Sequence, residues 1–278
     1  MQPSVPAPSI SIRSERRLKH EIRAVAASWR AKSLERLQWV GFGGYFLIWL
    51  ALPVLQLAMT GLIYGDRPDL QRYAVVAIAA SSLLLSAVFF AGEILDRERR
   101  GGTLPALFLA PCSRLSWLGG FQLAGLVEAI VISTVSLLLG RYGYGVTFDP
   151  HYPALAVTLV LFLAALWGMS MIFGAIGLLL KKANEFSNVV FPIALLLGGI
   201  YYPVAALPDW LRIPARALPL GYGFQALADA ALDHAGFRDI APQLLPLAAF
   251  ALILPLAGMF TFRWLERLVR IRGELDLY

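Results

Sequence analysis

Six apolar blocks, each at least twenty residues long and almost free of charge, constrain the fold of this chain more than any other feature. A helix of about 20 apolar residues crosses the hydrocarbon core of a bilayer, whereas soluble cores are built from shorter amphipathic runs. Apolar residues make up 58% of the chain and charged residues 15%, which excludes a soluble enzyme. The sequence predicts an all-α integral membrane protein with six transmembrane helices. The predicted spans are 38–64, 74–95, 117–140, 154–180, 186–207 and 243–262.

Basic residues are distributed unevenly among the segments that flank these spans. Of the 24 Lys and Arg residues, 18 lie in the two tails and in the second and fourth connections. By the positive-inside rule, this set is cytoplasmic. The sequence therefore predicts a bacterial-type inner-membrane protein with both termini in the cytoplasm, whose net charge of +6 attracts anionic lipid and implies no nucleic-acid partner. The predicted domains are a cytoplasmic tail over 1–37, a six-span domain over 38–262 and a cytoplasmic tail over 263–278.

The first tail contains an amphipathic segment. Its apolar residues recur at spacings of four, three and four, which places them on one face of a helix opposite a basic face. The pattern predicts an interfacial helix on the inner leaflet, serving either as an anchor or also as a surface for a cytoplasmic partner. The apolar face consists of Leu18, Ile22, Val25 and Trp29. No apolar stretch precedes residue 38, so we expect no cleaved secretory signal.

The second connection predicts a short helix between two breaks. The paired glycines at 101–102 end a charged helix, Thr103 is placed to cap a new one, and Pro111 stops it. Ser113 is placed to cap the helix of the third span. A short helix in this place presents side chains to the cytosol, either as a docking element or simply as a turn.

Two stretches of sequence resemble the ABC type-2 permease family, the membrane subunits of ATP-driven exporters. The first comprises Asp96-Arg97-Glu98-Arg99, Gly102-Thr103-Leu104, Leu107-Phe108, Pro111, Ser113 and Arg114. The second comprises Gly198-Gly-Ile-Tyr-Tyr-Pro203, Leu207-Pro208, Trp210-Leu211 and Leu218-Pro219-Leu220. The six-span layout and the amphipathic N-terminal helix also match, so the resemblance covers nearly the whole chain. The sequence departs from the family at Pro105, where Glu is frequent, and a proline there shortens the predicted helix.

The resemblance implies a permease subunit that works with a separate P-loop ATPase, in two copies, and with a second permease copy or a similar chain. The short cytoplasmic helix is then a coupling helix, which contacts the ATPase through Glu98, Arg99, Thr103, Leu104, Leu107 and Phe108. We expect the cargo to be amphipathic: a drug-like molecule, a lipid or a lipid-linked glycan. Candidate residues of the translocation path are Glu128, Tyr201 and Tyr202.

The segment between the fifth and sixth spans mixes apolar and charged residues. It is too polar to cross the membrane and too apolar to be a free loop, so it predicts one or two short re-entrant or interfacial helices on the external side. The resemblance implies that these helices shape the exit of a translocation path. The alternative is a passive cap on the outer surface. The candidate gate residues are Pro208, Trp210, Leu211 and Pro219.

Several chemical groups are absent from the sequence or isolated in it. There is no G-x-x-x-x-G-K-[ST] run, so we expect ATP and Mg²⁺ on the partner subunit and no cofactor on this chain. His20, His151 and His234 lie in three different segments, which predicts no zinc site. Cys112 is the single cysteine, which excludes an intrachain disulfide.

Glu128 is the one carboxylate deep within a predicted span. A charge at that depth is costly, so the side chain serves a cation or a proton, bonds to a neighbouring helix, or lies nearer the interface than the predicted span places it. Two further function classes remain open from the residues. A membrane-embedded lipid-modifying enzyme requires a cluster of polar catalytic groups at one depth, and an ion-coupled secondary transporter usually has inverted repeats and several intramembrane charges. Apart from Glu128, the spans show no such cluster, and the two halves of the chain show no convincing repeat.

Overall fold

The part of the chain that a computed structural model describes is helical and contains no strand, which confirms the all-α prediction. In several helix ends, among them 89–100 and 114–118, only the backbone is described. The described residues are 20–30, 41–65, 67–100, 102, 114–180 and 183–271. Within them the helices are α1 (20–30), α2 (Gly41–Ile63), α3 (Pro68–Arg100), α4 (Arg114–Tyr144), α5 (Tyr152–Leu180), α6 (Ala183–Gly198), α7 (Asp209–Arg216), α8 (Pro219–Leu232) and α9 (Ala241–Ile271), with a 3₁₀ turn at Val204–Ala206.

Within the described residues, four helices are long and apolar enough to cross a membrane, judged by length and composition. Two shorter apolar stretches accompany them, Leu50–Ile63 in α2 and Glu185–Gly198 in α6. The chain is therefore a multi-pass membrane protein, and the count of six spans stays a prediction. The four long stretches are Pro68–Val88, Gly119–Tyr144, Tyr152–Ile176 and Ala241–Trp264.

Helix α3 lies at the centre of the bundle. Every residue from Tyr73 to Leu84 is buried, because α2, α4, α5, α6 and α8 all pack against this helix. A helix surrounded in this way is apolar all round, and its many alanines let its neighbours come close. The buried Ser81 hydroxyl donates to the carbonyl of Ile78 at 2.6 Å, so its polarity is satisfied within the helix.

The predicted external segment contains two helices with different environments. Helix α7 is largely exposed, whereas α8 packs among α3, α5 and α9 with most of its residues buried. Phe224 of α8 meets Phe162 of α5 edge to face, with ring centroids 5.5 Å apart. The end of α8 is tied to α3, because Arg72 donates to the Leu232 carbonyl at 3.1 Å and pairs with Asp233 at 3.5 Å.

The fifth predicted span, 186–207, differs most from the observed helix. Helix α6 ends at Gly198, and Gly199 adopts a left-handed backbone conformation with φ of +71°. Glycine adopts this conformation without steric cost, and it commonly ends helices. The apolar residues that follow, 200–207, form a turn and a 3₁₀ segment, so their hydropathy extended the predicted span past the true end of the helix.

Helices α5 and α9 cross at a point of close backbone contact. A side-chain carbon at Gly168 of α5 would overlap the backbone of Leu254 and Pro255 in α9. Small residues at such crossings allow membrane helices to pack by van der Waals contact, since lipid offers no hydrophobic driving force between them. The α5–α9 pair therefore depends on this glycine.

We predict that Gly168→Ala destabilises the protein by about 1–3 kcal/mol, because the added methyl group forces the two helices apart. The matched control is Gly143→Ala in α4, where a side-chain carbon would meet no atom within 4 Å. Alanine favours helix over glycine by up to about 1 kcal/mol, so the control keeps or gains stability. Thermal unfolding of the detergent-purified chain measures both variants. Equal melting temperatures for the two would contradict the close crossing.

Candidate functional site

A groove of about 440 Å³ opens between α2, α3 and α6. Seven of its lining residues are apolar, and the other three are Gln56, Asn188 and Tyr201. Gln56 is 5% exposed, and its Oε1 has no hydrogen-bond partner among the described residues. A buried oxygen without a partner is costly, so the groove suits a molecule that donates a hydrogen bond to it. An apolar groove with a few polar groups is typical of a binding site for an amphipathic ligand.

The helix break after α6 positions Tyr201 in this groove. The Tyr73 hydroxyl donates to the Gly199 carbonyl at 2.8 Å and so satisfies an oxygen at the end of the helix. Ile200 is fully buried and fixes the turn, and the half-buried Tyr201 follows it directly. Tyr201 is therefore held by buried neighbours on its N-terminal side. It is a predicted path residue that the structure does place at a cavity.

Tyr202, the next predicted path residue, is not among the residues that line the groove. Its hydroxyl donates to the Leu196 carbonyl of α6 at 3.4 Å. Burial raises the pKa of the Tyr202 phenol above its ordinary value, and the nearby Tyr64 raises that pKa further. The phenol therefore stays neutral at physiological pH and serves as a hydrogen-bond donor that braces the turn.

Glu128 lies on α4, which contributes no residue to the groove. Its side chain is partly buried. The structure thus separates Glu128 from Tyr201 and Tyr202, and the three predicted path residues do not form one cluster. Any role of Glu128 in transport stays a prediction.

The sequence analysis did not single out Gln56 and Asn188. Gln56 is an isolated amide within the apolar part of α2, and Asn188 lies at the border between the polar start and the apolar remainder of α6. A polar side chain within a membrane helix usually faces the protein interior or a cavity, and this signal was available in the sequence. What the sequence lacked was the position of α2 and α6 on either side of one groove, which brings the two amides to it.

The predicted gate residues are spread over α7 and the start of α8. Pro208 and Trp210 are exposed, Leu211 is half-buried, and Pro219 is buried at the first turn of α8. Proline suits that position because the first turn of a helix leaves its N–H groups unbonded. None of these four residues lines the groove at Tyr201. The structure therefore divides them between a surface helix and the bundle interior.

Helix α3 continues past its apolar part. The predicted span ends at Leu95, and the backbone stays helical to Arg100, so the charged residues 96–100 add roughly 8 Å at 1.5 Å per residue. Glu98 and Arg99 lie in its last turn, where only the backbone is described. Thr103, Leu104, Leu107 and Phe108 lie outside the described residues, so their predicted contact with an ATPase stays a prediction.

Helix α1 rests on the first part of α4. The buried Ser28 and the backbone of Val25 lie against Gly120, where a side-chain carbon would overlap both. Ile22 and Trp29, predicted for the apolar face, are 59% and 39% exposed, and Leu18 lies outside the described residues. The sequence analysis missed Ser28, although the pair Gly119–Gly120 marks a place where another helix approaches closely.

Two histidines that are distant in sequence meet beside α8. The rings of His151 and His234 lie 5.2 Å apart between centroids, and His234 Nδ1 is 3.2 Å from an Asp149 carboxylate oxygen. His151 Nδ1 accepts a hydrogen bond from the Ala154 N–H at 3.2 Å, so that nitrogen caps α5. Among the described residues, no group of three or more metal-binding side chains converges here or elsewhere.

The sequence of this chain is similar to those of known proteins over much of its length. The family model of the ABC-2 type transporter matches residues 32–232, which include the groove and the connection between α3 and α4. The probable multidrug ABC transporter permease YbhR of Escherichia coli strain K12 is 24% identical over 149 residues, covering 54% of this chain and 40% of YbhR. The linearmycin resistance permease protein LnrN of Bacillus subtilis is 26% identical over 182 residues, covering 65% and 46%.

A eukaryotic protein matches as well: ABC transporter G family member 20 of Dictyostelium discoideum is 28% identical over 161 residues, covering 57% of this chain and 21% of the relative. The chain thus matches less than half the length of each of these three relatives. The family model, by contrast, matches well over half of this chain. This chain is therefore a member of the ABC-2 type transporter family.

Proposed function

We propose that this chain is the six-span permease subunit of an ATP-driven exporter in a bacterial-type inner membrane, with both termini in the cytoplasm. The observation that carries the proposal is the groove with Gln56, Asn188 and Tyr201 between α2 and α6. Membership of the family supports a membrane subunit that transports and does not hydrolyse ATP itself. The excess of Lys and Arg in the tails and in the second and fourth connections supports the orientation.

A second permease copy, or a similar chain, covers the groove. The flanking surfaces of α2 and α6 are apolar and exposed, with Leu55 at 59% and Ile193 at 51%. Lipid tails satisfy apolar surface but leave the polar groups of the groove without partners, which is unfavourable in hydrocarbon. An isologous dimer places the same surface of two chains together, so two grooves would form one path between the protomers.

The coupling to ATP hydrolysis acts through α3. This helix extends past the apolar region to Arg100, and residues 101–113 connect it to α4 at the same end of the bundle. We propose that Glu98, Arg99, Thr103, Leu104, Leu107 and Phe108 contact a separate ATPase subunit there, two copies of which serve the exporter. Because α3 packs against five other helices, a force at its end is transmitted to the whole bundle. ATP binding then supplies the free energy that shifts the population between inward-open and outward-open states.

The cargo is amphipathic. Seven apolar residues and three hydrogen-bonding side chains line the groove, and none of the described residues that line it is charged. Such a lining suits a drug-like molecule, a lipid or a lipid-linked glycan, each of which has apolar surface and a few polar groups. The names of two relatives, a multidrug permease and a linearmycin resistance permease, point to the drug-like class.

The first test is co-purification from the native membrane in mild detergent. We expect a P-loop ATPase to co-purify at one copy per permease chain, because the proposed exporter has two of each. Mass spectrometry identifies the partner and native gel mobility gives the ratio. A chain that purifies alone from membranes in which an ABC ATPase is expressed would contradict the exporter.

The predicted coupling helix gives a second test. Leu107→Asp or Phe108→Asp places a charge in an apolar contact and should abolish the stimulation of ATPase activity by the permease. The matched control is Ala106→Asp, because helical spacing puts Ala106 on the opposite face. ATPase rates of the reconstituted complex and thermal unfolding of the chain measure coupling and folding separately. Equal stimulation by all three variants would remove these residues from the coupling surface.

Cysteine cross-linking tests the dimer. In a Cys112→Ser background, Ile193→Cys on α6 should form a disulfide-linked pair with its copy under mild oxidation, or with a similar chain that carries a cysteine at the matching position. Leu252→Cys on α9 is the control, since it is 67% exposed and α9 packs beside α5 and α8, away from the groove. Gel mobility and mass spectrometry identify the products. Preferential cross-linking through α9 would place the interface elsewhere.

A further inference from the structure

A second cavity, distinct from the groove, lies between the 203–205 turn, α7, α8 and the start of α9. Its volume is also about 440 Å³. Two arginines line it, Arg212 and Arg216, and none of the described residues that line it is acidic. The two arginines are four residues apart on α7, so they lie on one face of that helix. The cavity is therefore positively charged.

Two buried polar atoms of the lining have no hydrogen-bond partner among the described residues. They are Nε of Arg212, which is a donor, and Oε1 of Gln243, which is an acceptor. The rest of the Arg212 guanidinium is held in place, because Nη2 donates to the carbonyls of Ala205 at 3.0 Å and Leu207 at 2.9 Å. Asp209 pairs with Nη1 at 3.1 Å, and its own side chain is almost fully exposed.

Unpaired buried donors and acceptors are costly, and a ligand that pairs with both removes that cost. The donor requires an acceptor, which a phosphate oxygen provides with the added attraction of charge. The acceptor requires a donor, such as a hydroxyl group next to the phosphate. The lining thus matches a phosphate group that carries a hydroxyl-bearing substituent.

The surface next to this cavity is suited to the apolar part of the same ligand. Trp210 and Ile213, three residues apart on α7, are 72% and 76% exposed. Leu245 of α9 is exposed to a similar extent, one turn after Pro242 in the cavity lining. Exposed tryptophan beside aliphatic residues on a short amphipathic helix is typical of the membrane interface, where headgroups and acyl chains meet.

We propose that this cavity binds the phosphate headgroup of an amphipathic molecule, with Arg212 and Arg216 against the phosphate and the acyl chains beside Trp210 and Ile213. With both termini in the cytoplasm, the cavity faces the outer leaflet, and this orientation rests on the proposed function. The binding of a phosphate headgroup in the cavity does not depend on it. A resident phospholipid and a transported phosphate-bearing amphiphile share this chemistry.

The test is lipid titration of the full chain in detergent, followed by native mass spectrometry. The probes are phosphatidylglycerol, which has a net negative charge and free hydroxyls, and phosphatidylcholine with the same acyl chains. We expect about tenfold or stronger preference for phosphatidylglycerol, since choline has no donor for the buried Gln243 oxygen and adds a positive charge beside the two arginines. Equal binding of the two lipids would overturn the proposal.

Substitutions of the cavity arginines test whether the preference for phosphatidylglycerol arises at this cavity. Arg216→Gln should reduce the preference at least severalfold without loss of structure, because no hydrogen bond of its side chain holds the fold among the described residues. Arg212→Gln should abolish the preference, and thermal unfolding shows whether the loss of its contacts to the turn disturbs the fold. The control is Arg238→Gln, an exposed arginine that does not line the cavity. An unchanged preference in Arg216→Gln and Arg212→Gln would place lipid binding elsewhere.

Two further experiments distinguish a soluble phosphate, a resident phospholipid and a transported lipid as the ligand of this cavity. Inorganic phosphate that competes at the concentration of the lipid would show a site for a soluble anion and would contradict the amphipathic ligand. In vesicles that contain the ATPase complex, headgroup-labelled phosphatidylglycerol changes leaflet on addition of ATP if the ligand is cargo and stays in place if it is resident. The lipid titration uses the permease chain without the ATPase. A failed titration therefore does not contradict the exporter, and a failed co-purification does not contradict lipid binding.

Discussion

The hydrogen bond from the Tyr73 hydroxyl to the Gly199 carbonyl satisfies a backbone oxygen at the point where α6 stops. In hydrocarbon, a backbone oxygen without a partner is too costly to persist, so irregular backbone survives only where the protein itself satisfies it. Tyr73 does so from the buried core of α3, and Gly199 supplies the left-handed turn. The groove residue Tyr201 and the whole segment up to α8 depend on this break. With a continuous helix, residues 200–207 would extend α6 and neither cavity would form.

Helix α3 connects these features to the opposite end of the molecule. At one end, Tyr73 holds the break and Arg72 holds the end of α8. In its middle it is buried on all sides, and at its other end it runs to Arg100 beside the predicted coupling segment. Protein interiors are close-packed, so a buried helix moves with its neighbours and does not bend freely. A displacement at Arg100 therefore reaches the groove and the end of α8 through one rigid element.

The sequence predicted the helical class and the long apolar helices because a run of twenty apolar residues has few alternatives in a membrane. It did not predict the end of α6, since 200–207 is as apolar as a helix and hydropathy carries no information on φ at Gly199. Tyr201 was found through family resemblance. Gln56 was not found, because the sequence does not say that α2 lies beside α6. The choice between re-entrant and interfacial helices stayed open for a similar reason: the sequence does not say which helices pack against α8, where Gln225 donates a hydrogen bond to the Asp229 carboxylate.

The groove and the arginine-lined cavity are separated by very little chain. Tyr201 lines the groove, and the lining of the other cavity begins at Pro203, two residues later. Extended chain spans at most about 3.6 Å per residue, so these two lining segments cannot move independently by more than a few ångströms. Arg212 bonds the Ala205 and Leu207 carbonyls, which fixes the far side of the same turn to α7. A ligand that pairs with Arg212 in the second cavity therefore constrains the position of Tyr201. The two sites move together, because both adjoin the helix break at Gly199.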